Sequence, residues 1–163
     1  MEVSSLSGLE EEMEGVIGEY GEQIFRLAFA YLKDRAGAED VAQEVFLTYM
    51  EKAPGFLREE QKKSWLMRVT GNKCKNLLKS AWHQKTVLLE EVLHDLPKHS
   101  AALLSAVLSL EEKYRIPIHL FYYGGYSLRE IARLLRSNPA TVGTWLARGR
   151  ALLKSMMGDD WNE

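Results

Sequence analysis

The sequence predicts an all-α protein of two helical lobes joined by a linker, the second a four-helix-type domain that contains a helix-turn-helix. Three observations carry that prediction. Apolar residues recur at i, i+3, i+4 and i+7 over most of the chain, the spacing of helix faces. No stretch alternates apolar and polar residues as a strand does, and no internal repeat is present. A mixed segment, "HQKTVLLEEVLHDLPKH" at 83–99, interrupts the periodicity and contains Pro97. The lobes so delimited are 10–85 and 98–157, with 86–97 as the linker.

The first helix is expected over Val16–Leu32, with Ile17, Tyr20, Ile24, Leu27, Ala28 and Tyr31 on one face. The acidic run Glu10–Glu14 before it reads as a solubilising tail. "KDRAGAED" breaks the pattern, with Gly37 as the expected stop. In "AEDVAQEVFLTYMEK", Ala42, Val45, Phe46 and Tyr49 share one face, and Asp40, Gln43, Glu44, Leu47 and Glu51 lie on the other. "APGF" at 53–56 is a turn, and "LREEQKK" is expected as a short loop or helical turn. A helix from Ser64 to Trp82 would bury Leu66, Thr70, Cys74, Leu77 and Ala81 and present Arg68, Asn72, Lys75 and Lys79 on another side. Residues Ser100–Tyr123 are helical, with a kink or break expected near Arg115–Ile116 because of Pro117.

The stretch "GYSLREIARLLRSNPATVGTWLARGR" is the most informative. Ser127 and Glu130 form a Ser-x-x-Glu capping box ahead of Leu128, Ile131, Ala132, Leu134 and Leu135. Asn138 is a good N-cap and Pro139 suits the first helical position. The next helix buries Val142, Leu146, Gly149 and Leu153 and shows Thr141, Thr144, Trp145, Arg148 and Lys154 outside. Two capped helices with a three-residue joint are the helix-turn-helix pattern, whose second helix enters the DNA major groove. An ordinary helical hairpin in a bundle is the alternative reading of these residues.

Charge and composition narrow the function classes. The net charge of −2 conceals a division. Residues 1–57 carry a net −8, residues 58–85 a net +6, residues 86–127 a net −2 and residues 128–163 a net +2. An acidic front and a basic middle suggest two surfaces for different partners. No apolar run approaches the length of a membrane span, and the acidic start "MEVSSLSGLEEEMEG" does not resemble a signal peptide. The expectation is a cytoplasmic protein with no direct membrane insertion. The single cysteine, Cys74, precludes an internal disulfide.

The chain as a whole, about residues 15–155, resembles bacterial RNA polymerase sigma factors of the extracytoplasmic-function type, within the sigma-70 family. "AEDVAQEVFLTYMEK" resembles the family's D/E-D-x-x-Q-E-x-F helix, and "SWLMRVTGNKCKNLLK" its W-L-x-R helix. "KYRIPIHLFYYGGYSLREIARLL" and "TVGTWLARGRALLK" resemble its second lobe. The resemblance implies a non-enzymatic factor that binds core polymerase and selects promoters. It implies that Asp40, Gln43, Glu44 and Leu47 dock on the clamp helices of the largest polymerase subunit. It places Arg68, Asn72, Lys75, Asn76 and Lys79 on the promoter −10 element, with Phe56, Lys62 and Lys63 in a preceding loop that holds a flipped base. Glu59 and Glu60 are unexpected in such a loop. Trp65 is expected as a buried anchor. Ser127, Thr141, Thr144, Trp145, Arg148 and Arg150 are the candidates for −35 promoter DNA. Here the family's T-V-K-S-R-L run is replaced by Thr141–Leu146 with Gly143 and Trp145 at the two basic positions, which puts the DNA preference in doubt. An anti-sigma factor is the implied inhibitor.

Two other functions stay open at this point: a stand-alone helix-turn-helix regulator, and a degenerate sigma-like protein that binds polymerase or an inhibitor without reading promoters. No cofactor is expected. His83, His94, His99, His119 and Cys74 show no CxxC or HxxxH spacing for a metal. No nucleophile and oxyanion site accompany His94 and Asp95, so no catalytic set is expected.

Overall fold

A computed structural model describes residues 2–52, 58–80 and 97–158. Within these the chain is helical, with no strand among the described residues. It divides into two units, residues 1–83 and 84–163. No helix among the described residues is long and apolar enough to cross a membrane.

The first unit contains α1 (Glu2–Leu32), α2 (Arg35–Lys52) and α3 (Glu59–Lys79), each packed on the other two. One stripe of α1 enters the core: Met13, Val16, Tyr20, Ile24, Leu27, Ala28 and Tyr31. It meets Val41, Val45 and Tyr49 of α2 and Leu66, Met67, Thr70 and Cys74 of α3. Burying each large apolar side chain contributes on the order of 1.5–3 kcal/mol, which is what holds a three-helix unit together. Thr70, fully buried, satisfies its hydroxyl by donating to the Leu66 carbonyl oxygen at 2.7 Å. Gly71 allows close approach of α1, since a Cβ there would lie 3.3 Å from the Tyr31 hydroxyl.

Three boundaries differ from the sequence expectation. The helix expected from Val16 begins at Glu2, so the acidic run Glu10–Glu14 is helical rather than a tail. Gly37 does not stop a helix. The break falls at Lys33, which takes the left-handed conformation (φ 57°), and Gly37 is buried inside α2. There a Cβ would sit 2.8 Å from the Asp34 Oδ2, so the glycine fits the tight corner between α1 and α2. The helix expected from Ser64 begins at Glu59, so of the loop or helical turn expected before it, the helical alternative holds from Glu59 onward. Arg58 and Gln61 close a capping box, with the Arg58 N–H donating to Gln61 Oε1 at 2.9 Å. The turn at 53–56, the end of the helix at Ala81–Trp82 and most of the 86–97 linker lie outside the described residues.

The second unit contains α4 (Lys98–Ser109), α5 (Glu112–Ile118), a π-helical turn (His119–Tyr123), α6 (Leu128–Leu135) and α7 (Pro139–Met157). α7 packs on α4, α5 and α6. No break falls at Arg115–Ile116: α5 runs through the fully buried Pro117 to Ile118. Departures from α geometry flank it on both sides. At Leu110 the chain turns extended, and the buried Arg115 guanidinium pins that corner by donating to the Leu110 carbonyl oxygen at 2.6 Å. Beyond Ile118 the helix widens, and the Gly124 N–H reaches back to the His119 carbonyl oxygen at 3.1 Å.

Candidate functional site

The outer face of α2 carries Asp40, Gln43, Glu44 and Leu47, all exposed, as the pattern of the sequence predicts. The inner face, built on Val41, Val45 and Tyr49, orients them outward. An apolar groove continues from this face onto α1. It is lined by Met13, Ile17, Phe46, Leu47 and Met50, with Glu10, Glu14 and Gln43 at its polar rim. Ile17, Leu47 and Met50 are each about half exposed (47%, 56% and 48%). The spacing of α1 placed Ile17 on the core face, but it is half exposed, and no described helix covers it at that level. An exposed apolar set rimmed by charge marks an interaction surface. Met50 was not legible as part of it, because only the pairing of α1 and α2 brings it beside Ile17.

The candidates of the basic segment separate into two groups. Arg68, Asn72, Asn76 and Lys79 are exposed on α3, and Lys75 is half-buried beside them. Lys62 and Lys63 belong to the first turns of the same helix. Lys62 is engaged within the unit: its Nζ donates to Glu59 Oε1 at 3.0 Å, and its side chain is only 20% exposed. Glu59 also accepts from the Tyr20 hydroxyl at 3.2 Å. Tyr49 donates to Glu12 Oε1 at 2.8 Å and meets the edge of the half-buried Trp65 ring at 6.0 Å between centroids. Glu59 and Glu60 therefore occupy the first turn of α3, where the helix dipole favours carboxylates, and Glu59 ties α3 to α1. Burial, followed by the bond to Glu59, pushes the Tyr20 phenol up to about 12. Burial and Glu12 raise that of Tyr49. Lys62, and then Tyr20, hold Glu59 below the usual carboxylate value, and Glu59 raises Lys62 in return. Phe56 lies outside the described residues.

In the second unit both caps form. The Glu130 N–H donates to Ser127 Oγ at 3.2 Å, and the Ser127 N–H donates to Glu130 Oε1 at 3.1 Å. Arg136 closes α6 in the left-handed conformation, and the Ser137 N–H bonds to the Ala132 carbonyl oxygen at 2.8 Å. The Thr141 N–H then donates to Asn138 Oδ1 at 2.9 Å, which starts α7 with Pro139 at its first turn. Val142, Leu146, Gly149 and Leu153 are buried, as the spacing predicts. Thr141, Thr144, Trp145 and Arg148 fall together on the outer side, with Thr144 and Arg148 exposed and Thr141 and Trp145 half-buried. Ser127 stands apart, at the start of α6. Arg150 lies two positions past Arg148, about 200° round the helix, so it does not share that face. Its Nη1 donates to the Tyr122 hydroxyl at 3.1 Å. Gly143 leaves open space, with nothing within 4 Å of where a Cβ would stand. Among the described residues no group of three or more His, Cys, Asp or Glu is placed to hold a metal ion.

The family model Sigma-70 region 2 matches residues 16–84, and the model Sigma-70, region 4 matches residues 100–153. The chain is 28% identical over 142 residues to the ECF RNA polymerase sigma factor SigM of Mycobacterium tuberculosis, covering 83% of this chain and 72% of that one. It is 25% identical over 172 residues to the ECF RNA polymerase sigma factor SigW of Bacillus subtilis, covering 93% and 92%. Its fold matches that of the sigma factor RpoE, solved in complex with the anti-sigma factor NepR from Bartonella quintana. The TM-score is 0.75 at 15% identity, over 93% of this chain and 99% of that one.

Proposed function

The chain belongs to the sigma-70 family, as an RNA polymerase sigma factor of the extracytoplasmic-function type, and from that premise we propose how its two lobes divide the work of initiation. The family is one of non-enzymatic initiation factors, and its function is to bind core RNA polymerase and direct it to particular promoters. In this reading the protein works in the cytoplasm. Residues 10–85 dock on polymerase and read the −10 element, 86–97 link, and 98–157 read the −35 element. The observation that carries the division is the presence on one chain of an exposed acidic and apolar α2 face and a capped helix-turn-helix.

Asp40, Gln43, Glu44 and Leu47 dock on the clamp helices of the largest polymerase subunit. Their charge speeds encounter and sets register against a basic partner. Arg68, Asn72, Lys75, Asn76 and Lys79 face the −10 strand. Lys63 and Phe56 are the candidates to hold the base that must be extruded. Lys62 contributes to that site only by breaking its pair with Glu59, which supports a structural role for it first. Thr141, Thr144, Trp145 and Arg148 enter the −35 major groove. An anti-sigma factor covers apolar surface such as Ile17, Leu47 and Met50, which supports that partner by its exposure.

Run-off transcription with purified chain, bacterial core polymerase and a genomic fragment library tests the reading. Specific transcripts are expected, and Asp40→Lys/Glu44→Lys is expected to abolish them together with core binding. Failure of the wild-type chain to bind core would overturn the reading.

A further inference from the structure

The outer side of α7 has an unusual charge distribution for a helix that enters a groove lined by phosphates. From Pro139 to Ala147 it carries no Lys or Arg, and Arg148 is its first cation. The helix-turn-helix as a whole, residues 127–150, nevertheless has five arginines against one acid. Three of those arginines lie on α6 and its cap: Arg129, Arg133 and Arg136. Arg129 and Arg133, at i and i+4, share one side of the helix, Arg136 follows at its left-handed cap, and all three are exposed. Among the described residues none of them makes an ion pair through its side chain. The one acid nearby, Glu130, is committed to the cap, accepting from the Ser127 N–H. Ile131, fully buried, lies on the opposite side of α6 and fixes it to the lobe, so the arginine row is held outward.

We infer that Arg129, Arg133 and Arg136 form a phosphate-binding row on promoter DNA, supplying from the first helix the backbone contacts that the start of α7 lacks. The inference rests on the proposed −35 reading of this lobe. In helix-turn-helix docking the second helix enters the major groove N-terminus first, and the first helix crosses the backbone. Arg136 sits at the joint, three residues before Pro139, and so at the edge of the groove. Arg133 and Arg129 lead away from it over about 10 Å of helix, along the path where α6 crosses the strand. A guanidinium is suited to this task, since it grips a phosphate with two parallel N–H donors. The division of labour follows: α6 supplies sequence-independent affinity, and Thr141, Thr144 and Trp145, with Arg148 as the one cation on their face, discriminate bases.

The test uses holoenzyme assembled from the full chain and core polymerase, bound to a promoter fragment recovered by run-off transcription. Affinity is measured against salt concentration. Arg129→Gln/Arg133→Gln/Arg136→Gln is expected to reduce the log–log salt slope by about 3, near one for each lost phosphate contact, with single variants each reducing it by about one. Discrimination between the promoter and a −35 mismatch should not change. The triple lysine variant should keep the slope, because charge and not fold is at stake. An unchanged slope in the glutamine variant, with wild-type holoenzyme binding normally, would overturn this inference alone. A loss shared by the lysine variant, or a loss of mismatch discrimination, would overturn it too. A wild-type holoenzyme that forms no promoter complex would sink the −35 reading and this inference with it.

Discussion

Gly143 and Gly149 lie six residues apart on α7 and call for opposite treatment. A Cβ on Gly149 would stand 2.5 Å from Ile118 Cδ1 and 3.2 Å from its Cγ1, against a side chain that is itself buried. The glycine is what lets α5 and α7 approach. Gly149→Ala gains helix propensity of about 1 kcal/mol but overpacks this contact, which costs on the order of 1–3 kcal/mol. The expected net is a loss of about 1 kcal/mol, read by thermal or denaturant unfolding. Gly143→Ala meets open space, so only the propensity gain of about 1 kcal/mol remains and the melting temperature should rise. If the two variants shifted stability in the same direction, the close approach of α5 to α7 would not be the reason for Gly149. The spacing of apolar residues already assigned Gly149 to the buried side. What it could not supply was the distance to Ile118, which depends on a residue 31 positions away.

Two junctions show how elements are tied and how far each was legible. The caps of α6 and α7 were readable, because Ser127–Glu130 and Asn138–Pro139 act within four residues. Replacing Ser127 or Asn138 by Ala should cost about 1 kcal/mol each in chemical denaturation, and a cost near zero would mean the helix ends are held by packing alone. The start of α3 was not readable, because its cap is an arginine and its first carboxylate is held by Tyr20, 39 residues upstream. The same is true of α1, whose acid-rich beginning masks the stripe that Met13 and Val16 continue. The Tyr20–Glu59–Lys62 latch has a pH signature. Tyr20 titrates near 12 in the folded protein against 10.0 ordinarily, so its neutral form stabilises the fold. That contribution is complete below pH 10 and is lost as pH rises toward 12. Glu59 acts in the opposite direction. Its carboxyl is held below 4.5, so its contribution is present above that value and lost as pH falls. Tyr20→Phe should remove part of the alkaline loss, leaving the share that belongs to Tyr49. An alkaline stability profile identical in wild type and Tyr20→Phe would show that the latch carries no linkage.

At the scale of the whole molecule, the question is how a chain with a net charge of −2 serves as a DNA reader. Nonspecific affinity for DNA comes from neutralised phosphates, and here net positive charge is confined to residues 58–85 and 128–163 while residues 1–57 carry a net −8. The acidic first stretch repels DNA at a distance but suits a basic face of the polymerase. Each DNA-reading surface is therefore weak by itself. With α2 docked on core polymerase as proposed, the second contact becomes intramolecular, with an effective concentration on the order of mM for a short linker. Specificity then arises from joint engagement and not from the affinity of either lobe. This arrangement also keeps the unbound factor off promoters until polymerase is available. The expected outcome is measurable by anisotropy of a labelled promoter duplex at physiological salt. The chain alone should bind weakly and with little preference over a scrambled duplex, whereas chain plus core polymerase should bind tightly and specifically. Asp40→Lys/Glu44→Lys should return the mixture to the behaviour of the chain alone, since the lobes would no longer be held together on the enzyme. Tight and specific duplex binding by the chain without polymerase would contradict the argument, and would mean that the helix-turn-helix is sufficient despite the neutral start of α7.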